Sequence, residues 1–163
     1  MADDIAKEHS PKVLIMGIGN LLLGDEGVGV HAIYELEKVR LPHGVKLLDV
    51  GTAFIDAVSH MNHIDKLIII DAITCGKKPG TVYRIPITPD SFTSYSTSIH
   101  GMSVIHMMKF AQCSLPDTVS FFGIEPEVID WSMEISKPVA ESMPRLINAV
   151  LSEISHSNEA LYV

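Results

Sequence analysis

The stretch KVLIMGIGNLLLGDEGVG, from Lys12 to Gly29, decides how this chain folds. Val13 to Met16 form an apolar run that stops at Gly17-Ile18-Gly19-Asn20. After a short apolar loop comes Gly24-Asp25-Glu26-Gly27, and only then does a helical pattern begin. A buried strand feeding a glycine-rich turn and a helix delivers the turn's residues to the C-terminal edge of a parallel sheet, where open α/β folds place their ligands. This turn delivers two adjacent carboxylates, Asp25 and Glu26.

Working outward, Val28, Ala32, Leu36 and Val39 trace one helical face, and Pro42 with Gly44 marks its end. Val45 to Val50 reads as a second strand, and a short helix is expected over Phe54 to Met61. Leu67 to Ile70 are continuously apolar, as in a central parallel strand covered on both faces. That strand runs into Asp71, and burying a carboxylate unpaired is costly, so packing alone does not explain it. Thr81 to Ile85 alternates and meets Pro86 and Pro89, which places it at a sheet edge.

Ser91 to Ser98 (SFTSYSTS) reads as a loop leading to His100, with a helix over Met102 to Ala111. Val119 to Ile124 is the last strand. In the final helix Ser136 is the expected cap and Pro138 sits in the first turn. Val139, Met143, Ile147, Val150 and Ile154 form its apolar stripe, with Pro144 inside it expected to kink the helix. The alternation predicts a three-layer α/β/α sandwich around a mostly parallel, twisted five-stranded sheet whose edge strand is antiparallel. One domain is expected over 1–163, with 1–11 as a flexible leader.

Composition narrows the function classes. An apolar fraction of 47% suits a buried sheet, yet no apolar run approaches the ~20 residues of a membrane-spanning helix. The net charge of −8, with twelve scattered Lys and Arg, argues against a nucleic-acid partner. The N-terminus lacks a signal-peptide pattern and a cytoplasmic location is expected. Cys75 and Cys113 have no metal-type spacing and read as reduced thiols.

Three residues reach similar topological places: Glu26 after the first strand, Asp71 ending the third, and His100 before a later helix. Two carboxylates and an imidazole suit a divalent transition metal with positions open for water or substrate. Two carboxylates ~4 Å apart repel by roughly 4 kcal/mol at an effective dielectric near 20. Such a pair either shares a proton, as an acid/base dyad, or draws in a cation, and both readings stand at this point.

The duller readings are a helix N-terminal charge for Asp25 or Glu26, loop hydrogen bonds for Asp71, and a helix-start residue for His100. His60 and His63 are spaced to chelate on a helix, although an exposed polar face explains them more cheaply. Cys75 offers a nucleophile with His100 as base, set against a plain small thiol. Gly17-x-Gly19 echoes a dinucleotide fingerprint, but Leu22 holds the third glycine position.

In combination, GIGNLLLGDEGVG, LLDVGT at Leu47 to Thr52, IIIDA at Ile68 to Ala72, SIHG at Ser98 to Gly101, GIEPE at Gly123 to Glu127 and SKPVAESMP before the last helix resemble the hydrogenase maturation proteases. The likeness runs from Lys12 to the final helix. It implies an endopeptidase, grouped as aspartic-type, that trims the C-terminal extension from the large-subunit precursor of a nickel–iron hydrogenase. It also implies that Glu26, Asp71 and His100 contact nickel already inserted in the precursor, that other divalent cations can occupy the site, and that the protein is a cytoplasmic monomer. Asp49 is then a candidate supporting carboxylate, and the 91–98 loop a candidate lid over the substrate tail. Three alternatives accompany this reading: a non-enzymatic nickel-sensing accessory protein, a thiol peptidase using Cys75, and a nucleotide-binding module.

Overall fold

A computed structural model describes residues 12–61, 63–87, 116 and 118–159. Five strands are present among the described residues: β1 (Val13–Ile18), β2 (Val45–Gly51), β3 (Lys66–Ala72), β4 (Val82–Ile87) and β5 (Thr118–Ile124). They lie side by side in the order β2-β1-β3-β5-β4. The β1–β2, β1–β3 and β3–β5 pairs are parallel, and β4 pairs antiparallel with β5 at the edge. The α-helices among the described residues are α1 (Val28–Leu36), α2 (Phe54–Ala57), which continues as a 3-10 turn over Val58–Met61, and α3 (Lys137–Glu159).

Strand alternation sorts the core into two layers. Val13 and Ile15 of β1, Ile68 and Ile70 of β3, and Phe122 and Ile124 of β5 face α1 and α3. Leu14 and Met16, Leu67 and Ile69, and Val119 and Phe121 pack with Ala57 and Met61 on the opposite face. Leu67 to Ile70 are all fully buried, as expected of a central strand covered on both sides. The result is the expected α/β/α sandwich with a mixed sheet. In α3, Val139, Met143, Ile147, Val150 and Ile154 are buried along one face, and the helix runs through Pro144, which is exposed.

Four local expectations are corrected. Helix α1 ends at Leu36, and Val39 is exposed beyond it, because the chain has already turned through the Val39 N–H to Leu36 carbonyl bond. His63 lies outside the helix at φ 61°, so it shares no helical face with His60. Strand β4 continues through Pro86 to Ile87, which an edge strand tolerates. Ser136 does not cap α3 with its side chain, since its Oγ has no hydrogen-bond partner among the described residues. Its backbone N–H is given to Asp25 instead.

At the N-terminal end of the sheet, Glu153 of α3 binds three elements at once. Its carboxylate accepts Lys66 Nζ at 2.9 Å and Ser120 Oγ at 2.9 Å, and pairs with Arg84 at 2.8 Å. These contacts fasten the last helix across β3, β5 and β4, at the end opposite the candidate site.

Candidate active site

The C-terminal edge of the sheet is assembled by close backbone approaches that only glycine permits. A Cβ on Gly17 would lie 2.2 Å from the Gly29 carbonyl oxygen, and one on Gly29 would lie 2.3 Å from that of Ile70. The start of α1 therefore rests directly on the end of β1 and on Ile70 of β3, the residue before Asp71. Gly19, at φ 142°, is tighter still: a Cβ there would sit 1.9 Å from the Glu26 carbonyl oxygen. The 3-10 turn Gly24–Gly27 carries Asp25 and Glu26 over this edge and touches β3.

The two adjacent carboxylates have different fates. Asp25 is fully buried. Its Oδ2 accepts the backbone N–H groups of Glu127 at 2.8 Å and Val128 at 3.1 Å, and its Oδ1 accepts that of Ser136 at 2.6 Å. Hydrogen bonds to a charged group contribute roughly 1.5–3 kcal/mol each, enough to offset burial of the carboxylate. Asp25 is thus a clamp on the 127–136 segment, not a charge placed for the helix N-terminus. Glu26, its neighbour, is half-buried at the edge.

Asp71 is buried at the end of β3, in register with Gly123 of β5, and its Oδ1 accepts the N–H of Ala72 at 2.8 Å. Glu26 lies in the 3-10 turn whose backbone packs on Gly19 just past β1, and Asp71 ends β3, the strand paired with β1. His100, the 91–98 loop, the 102–111 helix and Cys113 lie outside the described residues, as does the 1–11 leader. Among the described residues no group of three or more His, Cys, Asp or Glu is gathered to hold a metal. Two carboxylate oxygen donors of the expected three-residue set are on the described edge.

Glu125, which the sequence did not single out beyond its GIEPE context, is a further carboxylate buried here. It accepts the backbone N–H groups of Cys75 at 2.9 Å and Gly76 at 3.0 Å and the hydroxyl of Tyr83. Burial pushes its carboxyl up, but the Tyr83 hydroxyl and the amides of Cys75, Gly76 and Lys77 outweigh it and hold the group below the ordinary carboxylate range. Burial and the same carboxylate push the Tyr83 phenol up. Glu125 therefore ties the loop after Asp71 to the end of β5. A buried-strand ending in Gly-Ile-Glu-Pro was its only signal in the sequence.

The remaining candidates are placed more plainly. Asp49 is exposed near the end of β2 and accepts the Tyr34 hydroxyl at 3.1 Å, a contact that pins β2 to α1. The Cys75 side chain is exposed, and its backbone serves Glu125. Leu22, in place of the third fingerprint glycine, is exposed beside the turn.

Comparison with known proteins completes the description. Residues 30–153 match the family model HycI, described as hydrogenase maturation protease. The chain is 36% identical over 148 residues to the hydrogenase expression/formation protein HupM of Azotobacter chroococcum, covering 86% of this chain and 71% of the relative. It is 30% identical over 152 residues to the hydrogenase 2 maturation protease of Escherichia coli, covering 90% and 92%. The solved hydrogenase maturating endopeptidase HybD of E. coli superposes with a TM-score of 0.78 at 30% identity, over 90% of this chain and 93% of that one.

Proposed function

The chain belongs to the hydrogenase maturation protease family, and from that premise we propose that it removes the C-terminal extension of a nickel–iron hydrogenase large-subunit precursor once nickel has been inserted. Nickel in this reading belongs to the substrate. Glu26, Asp71 and His100 contact it through positions that the precursor's own ligands leave open, and that contact sets the scissile peptide beside the catalytic edge.

The observation that supports the reading most is the packing of the turn that carries Glu26 on Gly19 and of the start of α1 on Ile70, beside the strand that ends in Asp71. Oxygen donors paired with an imidazole suit a borderline divalent ion such as nickel. Hydrolysis needs a water deprotonated as it attacks the peptide carbonyl, and a carboxylate of the pair is the base within this set. The leaving amine takes up a proton as the C–N bond breaks. The aspartic-type grouping follows from carboxylates doing this work. The protein acts in the cytoplasm as a monomer on the precursor. No helix among the described residues is long and apolar enough to cross a membrane.

The test is the mass of the nickel-loaded precursor after incubation with wild type, Glu26→Gln, Asp71→Asn and His100→Ala. Trimming by wild type alone, with all three variants folded, is the expected result. Full trimming by any of the three removes that residue from the site. A wild type that binds precursor without shortening it gives the accessory-protein reading instead.

A further inference from the structure

The same edge carries a surface that none of the preceding chemistry uses. Between Glu125 and Ser136 the chain crosses the sheet end as an irregular segment; Ile135 packs on the core, and four other apolar side chains are exposed. Trp131 is 78% exposed and Met133 68%, with Val128 and Ile129 about half exposed. Leu22, at the head of the turn that carries Glu26, is also exposed. Large apolar side chains gathered in water on one small surface are uncommon in a protein without a partner.

These residues are held rigidly. The two segments are laced by Ser132 N–H to the Leu22 carbonyl at 3.1 Å and Gly24 N–H to the Ser132 carbonyl at 2.7 Å. Asp25 holds Glu127, Val128 and Ser136 from beneath. Asp130 Oδ1 accepts the N–H of Trp131 at 2.7 Å, and Ser132 Oγ accepts that of Glu134 at 3.0 Å. With the backbone already fixed, Trp131 has only its two side-chain torsions to order on contact, and tryptophan is enriched among binding hot spots. The charges within the segment are acidic, with Glu127, Asp130 and Glu134 exposed and no Lys or Arg from 125 to 136, and Lys137 is the first cation beyond it.

We propose that Leu22, Val128, Ile129, Trp131 and Met133 form the docking surface for the large-subunit precursor, which meets it with an apolar face edged by Lys and Arg. This inference rests on the substrate reading above. Its particular content is that affinity for the precursor body resides here, while the Glu26 and Asp71 edge reads the metal. Asp25 joins the two, since the residue that anchors the docking segment is the immediate neighbour of Glu26. The acidic border selects a basic partner and steers encounter, so association weakens as salt rises.

Trp131 is the only tryptophan in the chain, which makes the surface directly observable. Protein labelled with 5-fluorotryptophan is titrated with nickel-loaded precursor and followed by fluorine NMR, and trimming kinetics are measured on wild type and a Trp131→Ser/Met133→Ser variant. The expected results are a shifted or broadened Trp131 resonance on adding precursor and a KM raised about tenfold or more in the variant. Its kcat should stay within about twofold and its melting temperature should be unchanged, since exposed side chains far from packing contribute little to stability. An unmoved resonance with an unchanged KM overturns the docking surface while leaving the protease reading intact. A resonance that responds to precursor without any trimming by wild type rejects the protease reading and retains the surface. A resonance that instead moves with the protein's own concentration, alongside a sedimenting dimer, assigns the surface to a second copy and overturns the proposal.

Discussion

The carbonyl oxygen of Glu26 lies against Gly19, 1.9 Å from where a side chain on that glycine would begin. The position of the first candidate site residue is therefore set by backbone contact, at a φ of 142° that other residues rarely adopt. Gly19→Ala must displace the 3-10 turn carrying Glu26. A displacement of about 1 Å at a catalytic group can cost on the order of 100-fold in rate. Trimming by Gly19→Ala is expected to fall by about that factor, with a lower melting temperature. Unchanged trimming would show that the position of Glu26 is not critical.

Asp25→Asn keeps the shape and removes the charge. An amide can accept at only one of its two positions, so at least one of the N–H groups of Glu127, Val128 and Ser136 meets a donor. The expected loss is roughly 2 kcal/mol of stability, with faster hydrogen exchange at those three amides specifically. Unaltered exchange there would mean that the segment does not depend on the clamp.

Glu125→Gln tests the anchor on the loop after Asp71. Burial and the carboxylate together raise the Tyr83 phenol, so removing the charge should let Tyr83 ionise at lower pH. The phenolate absorbance of the variant, referenced to Tyr83→Phe in each background, reads this directly. A Tyr83 titration that does not move would deny the Tyr83–Glu125 bond a role in solution.

Glu153 gives the pH dependence. Burial raises its carboxyl, but Lys66, Ser120 and Arg84 together hold it below the ordinary value of 4.5. A depressed folded-state pKa means that this stabilisation is fully present above the unfolded value and is lost as pH falls through the folded one. Stability should therefore decline below about pH 4.5 in wild type, with Glu125 adding in the same direction. Glu153→Gln leaves Lys66 without its carboxylate in a site where each side chain is only 10% exposed. It is expected to cost about 3 kcal/mol at neutral pH and to flatten the acid limb of the urea midpoint. An acid limb as steep as that of wild type would contradict the assignment.

The sheet was legible because its strands bury both faces: Leu67 to Ile70 can be read as a strand without knowing any neighbour, and so can the carboxylate that ends it. The apolar stripe of α3 was legible for the same reason, since a period of 3.6 residues survives Pro144. The end of α1 was not. Val39 continues the helical period by coincidence, and nothing between Leu36 and Pro42 announces the turn that exposes it. Asp25 and Glu26 pose the harder problem. Adjacent side chains of similar chemistry are told apart only by what lies opposite them, and the amides that claim Asp25 are 102 to 111 positions away. Glu125 is hidden in the sequence for the same reason, because its amide partners are 49 and 50 positions distant. Carboxylates that accept backbone amides leave no local trace in sequence, whereas a carboxylate ending a continuous apolar run does.

On the proposed function, Glu26 and Asp71, with His100, make cleavage conditional on nickel held by the substrate. A mass measurement decides this: the large-subunit precursor, prepared with and without nickel, is incubated with the protein and its C-terminus is read. A shortened chain is expected from the nickel-loaded precursor and an intact one from the nickel-free precursor. Equal shortening of both would contradict it.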